Sequence, residues 1–85
     1  MEEIKLKKVY RHFKGNYYIV EDIAKHSETN EDYVAYRALY GDCNQLWLRP
    51  LSMFLGKIDS NRPDNITGQA YRFEYAEDIN KDYLC

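Results

Sequence analysis

Cysteine, proline, glycine and histidine are all scarce in this chain of 85 residues, which holds two, two, four and two of them. Cys43 and Cys85 are too few for a disulfide framework, and their spacing fits no zinc motif. The glycines stand singly, so there is no phosphate-cradling loop, and each reads as a turn residue. No apolar run approaches the roughly 20 residues of a membrane helix. The opening MEEIKLKKVY lacks the apolar core of a signal peptide. The sequence therefore predicts a soluble, cytoplasmic protein, in which the Asn65-Ile66-Thr67 glycosylation sequon carries no meaning. A net charge of −2 gives no overall pull toward nucleic acid.

Aromatic residues, by contrast, are plentiful: nine tyrosines, three phenylalanines and one tryptophan. Tyrosine suits a half-buried pleated surface, with its ring packed and its hydroxyl wet. With 45% hydrophobic and 31% charged residues, the chain reads as one folded domain over 1–85 rather than a disordered segment. At this length its core is thin. Charge is unevenly spread. Lys5, Lys7, Lys8, Arg11 and Lys14 make a basic stretch, whereas Glu74, Glu77, Asp78 and Asp82 make an acidic one. A basic strand edge is most simply a guard against edge-to-edge pairing.

Turn signals at Lys14-Gly15-Asn16, Ser27–Asn30 and Gly41–Asn44 separate runs rich in Tyr, Val, Ile and Leu. This spacing predicts strands near 8–13, 17–26, 32–40 and 45–49, as in a small barrel or sandwich. Pro50 stops the fourth strand. Leu51–Leu55 lacks alternation and predicts one helical turn closed by Gly56. Residues 59–65 read as a loop. Tyr71, Phe73 and Tyr75 alternate with Arg72 and Glu74, predicting a last strand over 69–75. The ordered core is expected over about 8–75, with 76–85 a frayed tail.

The central strands can be registered by placing Lys25 opposite Tyr33 and Tyr40 opposite Leu46. One face then collects Tyr18, Val20, Ala24, Val34, Tyr36, Ala38, Tyr40, Leu46 and Leu48 as the core. The other collects Ile19, Glu21, Ile23, Ala35, Arg37, Leu39, Trp47 and Arg49. Ile19 and Ile23 are too apolar for open water, so a β-bulge near Glu21-Asp22 or a cover from the 50–55 turn is expected. This register sets Arg37 directly opposite Arg49, an unfavourable pairing. Either Glu21 neutralises it in a short charge ladder, or an anionic ligand is held by the two guanidinium groups, with Trp47 as a stacking plate.

Several motifs in order resemble a known family. They are Arg11–Asn16, His26–Thr29, Tyr36–Asp42, Leu46–Pro50 with Met53-Phe54, and Arg72–Glu74. Over about residues 8 to 75 the chain is similar to the small bacterial family catalogued as domain of unknown function 1653. Members usually carry a glycine near position 22, where this chain has Asp22. The resemblance implies an SH3-like β-barrel or roll, and it implies no activity and no catalytic residue.

Three function classes remain to be weighed. An enzyme would draw on His26 and Glu28, with Asp42, as an acid–base group, but no nucleophile lies in reach, and Ser27, Thr29 and Asn30 suit turn hydrogen bonds. A single-stranded nucleic-acid module would use Trp47, Tyr36, Tyr40, Arg37, Arg49 and the basic stretch, against the net acidity. A peptide- or protein-binding barrel would use the same tyrosines and Trp47. The sequence therefore predicts an all-β, SH3-like barrel acting as a non-enzymatic binding or interaction module. Arg37, Trp47, Arg49 and Glu21 are its candidate ligand residues. No catalytic residue, metal or cofactor is expected. The partners implied are a small anionic ligand, a peptide or a protein, ahead of nucleic acid and without a membrane.

Overall fold

The structure is a computed structural model that describes residues 4–85, so the first three residues of the expected domain lie outside the described residues. Five strands form one antiparallel sheet: β1 (Val9–His12), β2 (Tyr17–Lys25), β3 (Asp32–Ala38), β4 (Leu46–Pro50) and β5 (Phe73–Tyr75). The spatial order is β4-β3-β2-β1-β5. A short helix, α1 (Leu51–Phe54), follows β4 directly, with Pro50 as its N-cap residue. Proline has no N–H to lose at a ladder's end, and its fixed φ suits a helix start, so one residue ends the strand and opens the helix.

The architecture is thus mostly β with one helical turn. The expected barrel does not close, because β4 and β5 share no ladder among the described residues. The sheet is nevertheless strongly curled. Phe73 of β5 stacks on Phe54 of α1 at 4.1 Å and meets Tyr36 of β3 edge-on at 5.3 Å. The inner face buries Tyr10, Val20, Val34, Tyr36, Phe54 and Phe73 as one cluster. Phe54, fully buried, fills the concavity left by the curl.

Curvature follows in part from a β-bulge between Val20 and Asp22, where Glu21 has no partner in the ladder. The bulge sits where it was expected, and it forms although Asp22, not glycine, stands at that position. An extra residue on one strand bends it and increases its twist. It also reverses the inside–outside alternation, so that Ile23 pairs with buried Val34, while Asp22 and Ala24 turn outward.

The expected registers fail on both sides of β3: Lys25 lies opposite Asp32 instead of Tyr33, and the pairing with β4 is displaced as well. Arg37 lies opposite Leu46, Ala35 opposite Leu48 and Val34 opposite Arg49. The shift of three places is odd, so every β4 side chain changes face. The β3–β4 ladder ends at Ala38, whose N–H bonds to Gln45 O, while Leu39 extends the β2–β3 ladder through its N–H to Tyr17 O and buries its side chain on the outer face. The loop therefore begins at 39, not 41. Leu46 and Leu48, expected in the core, are exposed, Leu48 by 65%.

The bounds of the last strand are corrected as well. Strand β5 is only three residues long, because 70–72 pairs with 56–58 instead, through Ile58 N–H to Ala70 O and Arg72 N–H to Gly56 O. Buried Gln69 donates Nε2 to the carbonyls of Arg11 and Tyr71. Buried Asn65 donates Nδ2 to the carbonyls of Asp59 and Gln69, so the sequon nitrogen is already engaged. Segment 76–85 lies across the outer face. Ala76, Ile79 and Leu84 pack over Val9, Ile19 and Leu39 on the outer face, supplying the cover that Ile19 required. Cys43 and Cys85 form a disulfide with a Cα–Cα distance of 6.2 Å, a pairing the sequence reading did not anticipate.

Candidate functional site

Because the register differs, the predicted ligand residues divide between two faces. Glu21 and Arg37 lie on the outer face, where Arg37 Nε donates to Glu21 Oε2 at 3.0 Å. Lys7 Nζ donates to Glu21 Oε1 at 2.8 Å, and Arg37 Nη1 donates to the Asn44 carbonyl at 2.7 Å. The two cationic donors hold the Glu21 carboxyl below its usual range. Arg37 is thus satisfied by a carboxylate and a carbonyl, as the charge-ladder reading requires. The arrangement of Arg37 directly opposite Arg49 does not exist.

Trp47 and Arg49 lie on the inner face, at the edge where the sheet curls open. Trp47 pairs with Tyr36 and is half exposed. Arg49 Nε points to the Tyr36 hydroxyl at 3.4 Å. The curl brings two residues from the far side of the sheet toward them: Arg72, just before β5, and His12 at the end of β1. Arg72 lies over the buried Phe13 ring at 5.7 Å. Its pKa is lowered by burial first, then by the charges of Arg49 and Arg62. His12 is pushed down to about 4 by burial first, then by Arg72, Arg49 and Lys14. Its Nδ1 accepts the Lys14 N–H, so the neutral ring carries its proton on Nε2.

Aromatic rings wall this corner. Tyr18 meets His12, Tyr36, Tyr40 and Phe73 edge-on at 5.3–6.1 Å. The hydroxyls of Tyr18 and Tyr40 are 3.0 Å apart. Burial first, then that bond, pushes the Tyr18 phenol well above its usual range. Among the described residues neither Arg49 nor Arg72 forms an ion pair with a carboxylate, whereas Arg37 and Arg62 both do. The corner therefore concentrates positive charge beside hydroxyl donors and a half-exposed indole.

Arg72 and His12 were absent from the sequence-derived site. Nothing in their local sequence marks them; only the curl brings β1 and β5 to β4. His26, Glu28 and Asp42 do not assemble. His26 Nδ1 accepts the N–H groups of Glu28 and Thr29 in its own turn. Asp42 accepts from Asn44 N–H in the loop at the other end of β3, roughly 20 Å away at strand rise. Among the described residues no helix is long and apolar enough to cross a membrane.

Open sheet, helical plug and aromatic-walled basic corner define a small, mostly β domain. A family model, described as a protein of unknown function (DUF1653), matches residues 8–75. The chain belongs to that family. A crystal structure of a family member from Bordetella bronchiseptica is similar, with a TM-score of 0.70 at 30% identity. The match covers 89% of this chain and 91% of that one. No curated protein matches the chain.

Proposed function

We propose that the domain is a binding module whose ligand carries a phosphate or carboxylate between Arg49 and Arg72 and a flat apolar part against Trp47. One observation carries this reading: two half-buried arginines, delivered from opposite edges of the sheet, lie near each other with no carboxylate partner among the described residues. Mutual repulsion of buried like charges is unfavourable, and an anion held by both forks relieves it. His12 Nε2–H and the tyrosine hydroxyls supply further donors. The exposed indole offers a stacking surface.

The test is thermal stabilisation by inorganic phosphate, a nucleoside monophosphate and the matching neutral nucleoside. Anion-dependent stabilisation that grows with concentration, and that Arg49→Ala and Arg72→Ala each abolish, supports the reading. No stabilisation by either anion, or equal stabilisation of both variants, overturns it. A short oligonucleotide in the same series separates a small-molecule site from a single-strand site, the latter marked by steep loss of binding with salt.

A further inference from the structure

The outer face carries a second feature, independent of the basic corner. Segment 77–85 is internally ordered: Asn80 Oδ1 caps a 3₁₀ turn at Lys81–Tyr83, and Leu84 and Cys85 N–H groups return to Lys81 O. Its last hydrogen bond to the sheet is one residue earlier, from Ala76 N to Val9 O at 2.9 Å. Beyond it, the one hydrogen bond that leaves 77–85 among the described residues is the local turn bond from Ile79 N to Ala76 O, and no ion pair joins the segment to the sheet. The segment is held by the half-buried side chains of Ile79 and Leu84 and by the Cys43–Cys85 bond.

That bond is reachable. Cys85 is exposed and Cys43 only half-buried, on a loop between two strands. A cleft of about 420 Å³ opens beside it, lined by Glu21, Arg37, Leu39 and both cysteines. An accessible disulfide is open to attack by an external thiolate. Two half-buried apolar side chains stabilise a docked segment only weakly once the covalent tie is gone.

We infer that Cys43–Cys85 is a reversible redox site and that its reduction by a dithiol releases segment 77–85 from the sheet. The dithiol's thiolate attacks one sulfur, forming a mixed disulfide and freeing the other cysteine. The second thiol of the reductant then displaces the first cysteine. Two electrons pass to the protein, two protons end on Cys43 and Cys85, and the reductant leaves as its own disulfide. Release uncovers Val9, Ile19 and Leu39, a contiguous apolar patch beside the Lys7–Glu21–Arg37 charges. The oxidised chain presents a closed outer face, and the reduced chain an uncovered one.

Trypsin cleavage at Lys81 tests this on the full chain, scored by mass after quenching and complete reduction. Oxidised protein should be cut there on the order of tenfold more slowly than protein in dithiothreitol, since cleavage needs the segment to open. Hydrogen exchange over 9–20 should rise in step. Cys85→Ser should match reduced wild type with or without dithiothreitol, and Cys43→Ser is the reciprocal variant. Alkylation of both thiols in protein treated with oxidised glutathione would overturn the inference, because the bond then does not form. A formed bond with unchanged cleavage and exchange on reduction would overturn it equally.

Discussion

Arg37 and Arg49 stand on opposite faces of the sheet, Arg37 opposite Leu46 with its guanidinium on Glu21, Arg49 opposite Val34 with its guanidinium by the Tyr36 hydroxyl. Arg37 is neutralised and Arg49 is not. The two positions should therefore respond in opposite ways to mutation.

Arg37→Ala removes one hydrogen-bonded partner of a partly exposed carboxylate. The expected loss is about 1 kcal/mol or less, as for surface pairs with good geometry. Phosphate binding should be unchanged. Urea denaturation and the phosphate thermal shift, measured on the same sample, check both halves.

Arg49→Ala removes a charge that both His12 and Arg72 experience as unfavourable. Stability should stay within about 0.5 kcal/mol of wild type or rise, as when a site's stored repulsion is relieved. The His12 pKa should move upward from about 4. Titration of the His12 ring protons by NMR reads this directly, and an unmoved pKa would contradict the proximity of the two residues.

Acid should destabilise the fold through His12. Its folded pKa of about 4 lies below the 6.5 of the unfolded chain, so the unfolded state binds more protons in that window. Stability is present above pH 6.5 and is lost as pH falls toward 4. The fall from 6.5 to about 4 corresponds to about 3 kcal/mol, which solvent screening of a half-buried ring reduces to about 1–2 kcal/mol. His12→Asn keeps an acceptor for Lys14 N–H and should flatten melting temperature against pH. An anion between the arginines favours the protonated ring, so sulfate, whose charge is the same at both pH values, should bind more tightly at pH 4.5 than at pH 7.

The two buried amides should be costly to remove. Gln69→Ala strands the carbonyls of Arg11 and Tyr71, and Asn65→Ala strands those of Asp59 and Gln69. Each should cost about 1–3 kcal/mol, the penalty for unsatisfied buried polar groups. Because Thr67 Oγ1 donates to Gln69 Oε1 and lies 3.3 Å from Asn65 Oδ1, the double variant should cost less than the sum. Chemical denaturation of the three variants provides the cycle.

Local pattern made the first four strands, the helical turn after Pro50 and the bulge at Glu21-Asp22 legible within a residue or two, because turn chemistry and alternation are written in neighbouring residues. Val20, Val34, Tyr36 and Ala38 were placed on the core face for the same reason. Legibility stopped wherever pairing was decided at a distance. The β3–β4 loop spans 39–45 instead of 41–45, and the resulting pairing of Tyr36 with Trp47 and Val34 with Arg49 puts both on the inner face.

The sequence by itself determined a mostly β domain with its family motifs in order, since hydrophobic period, turn residues and Pro50 act over a few residues. Tertiary structure alone decided which side chains meet. Curling an open sheet brought Arg72 and His12 to Arg49, and it buried Ile19 under Ile79 and Leu84 while setting Cys85 against Cys43. Those encounters depend on sheet twist, loop length and the burial of apolar faces, quantities summed over the whole chain rather than carried by any stretch of it.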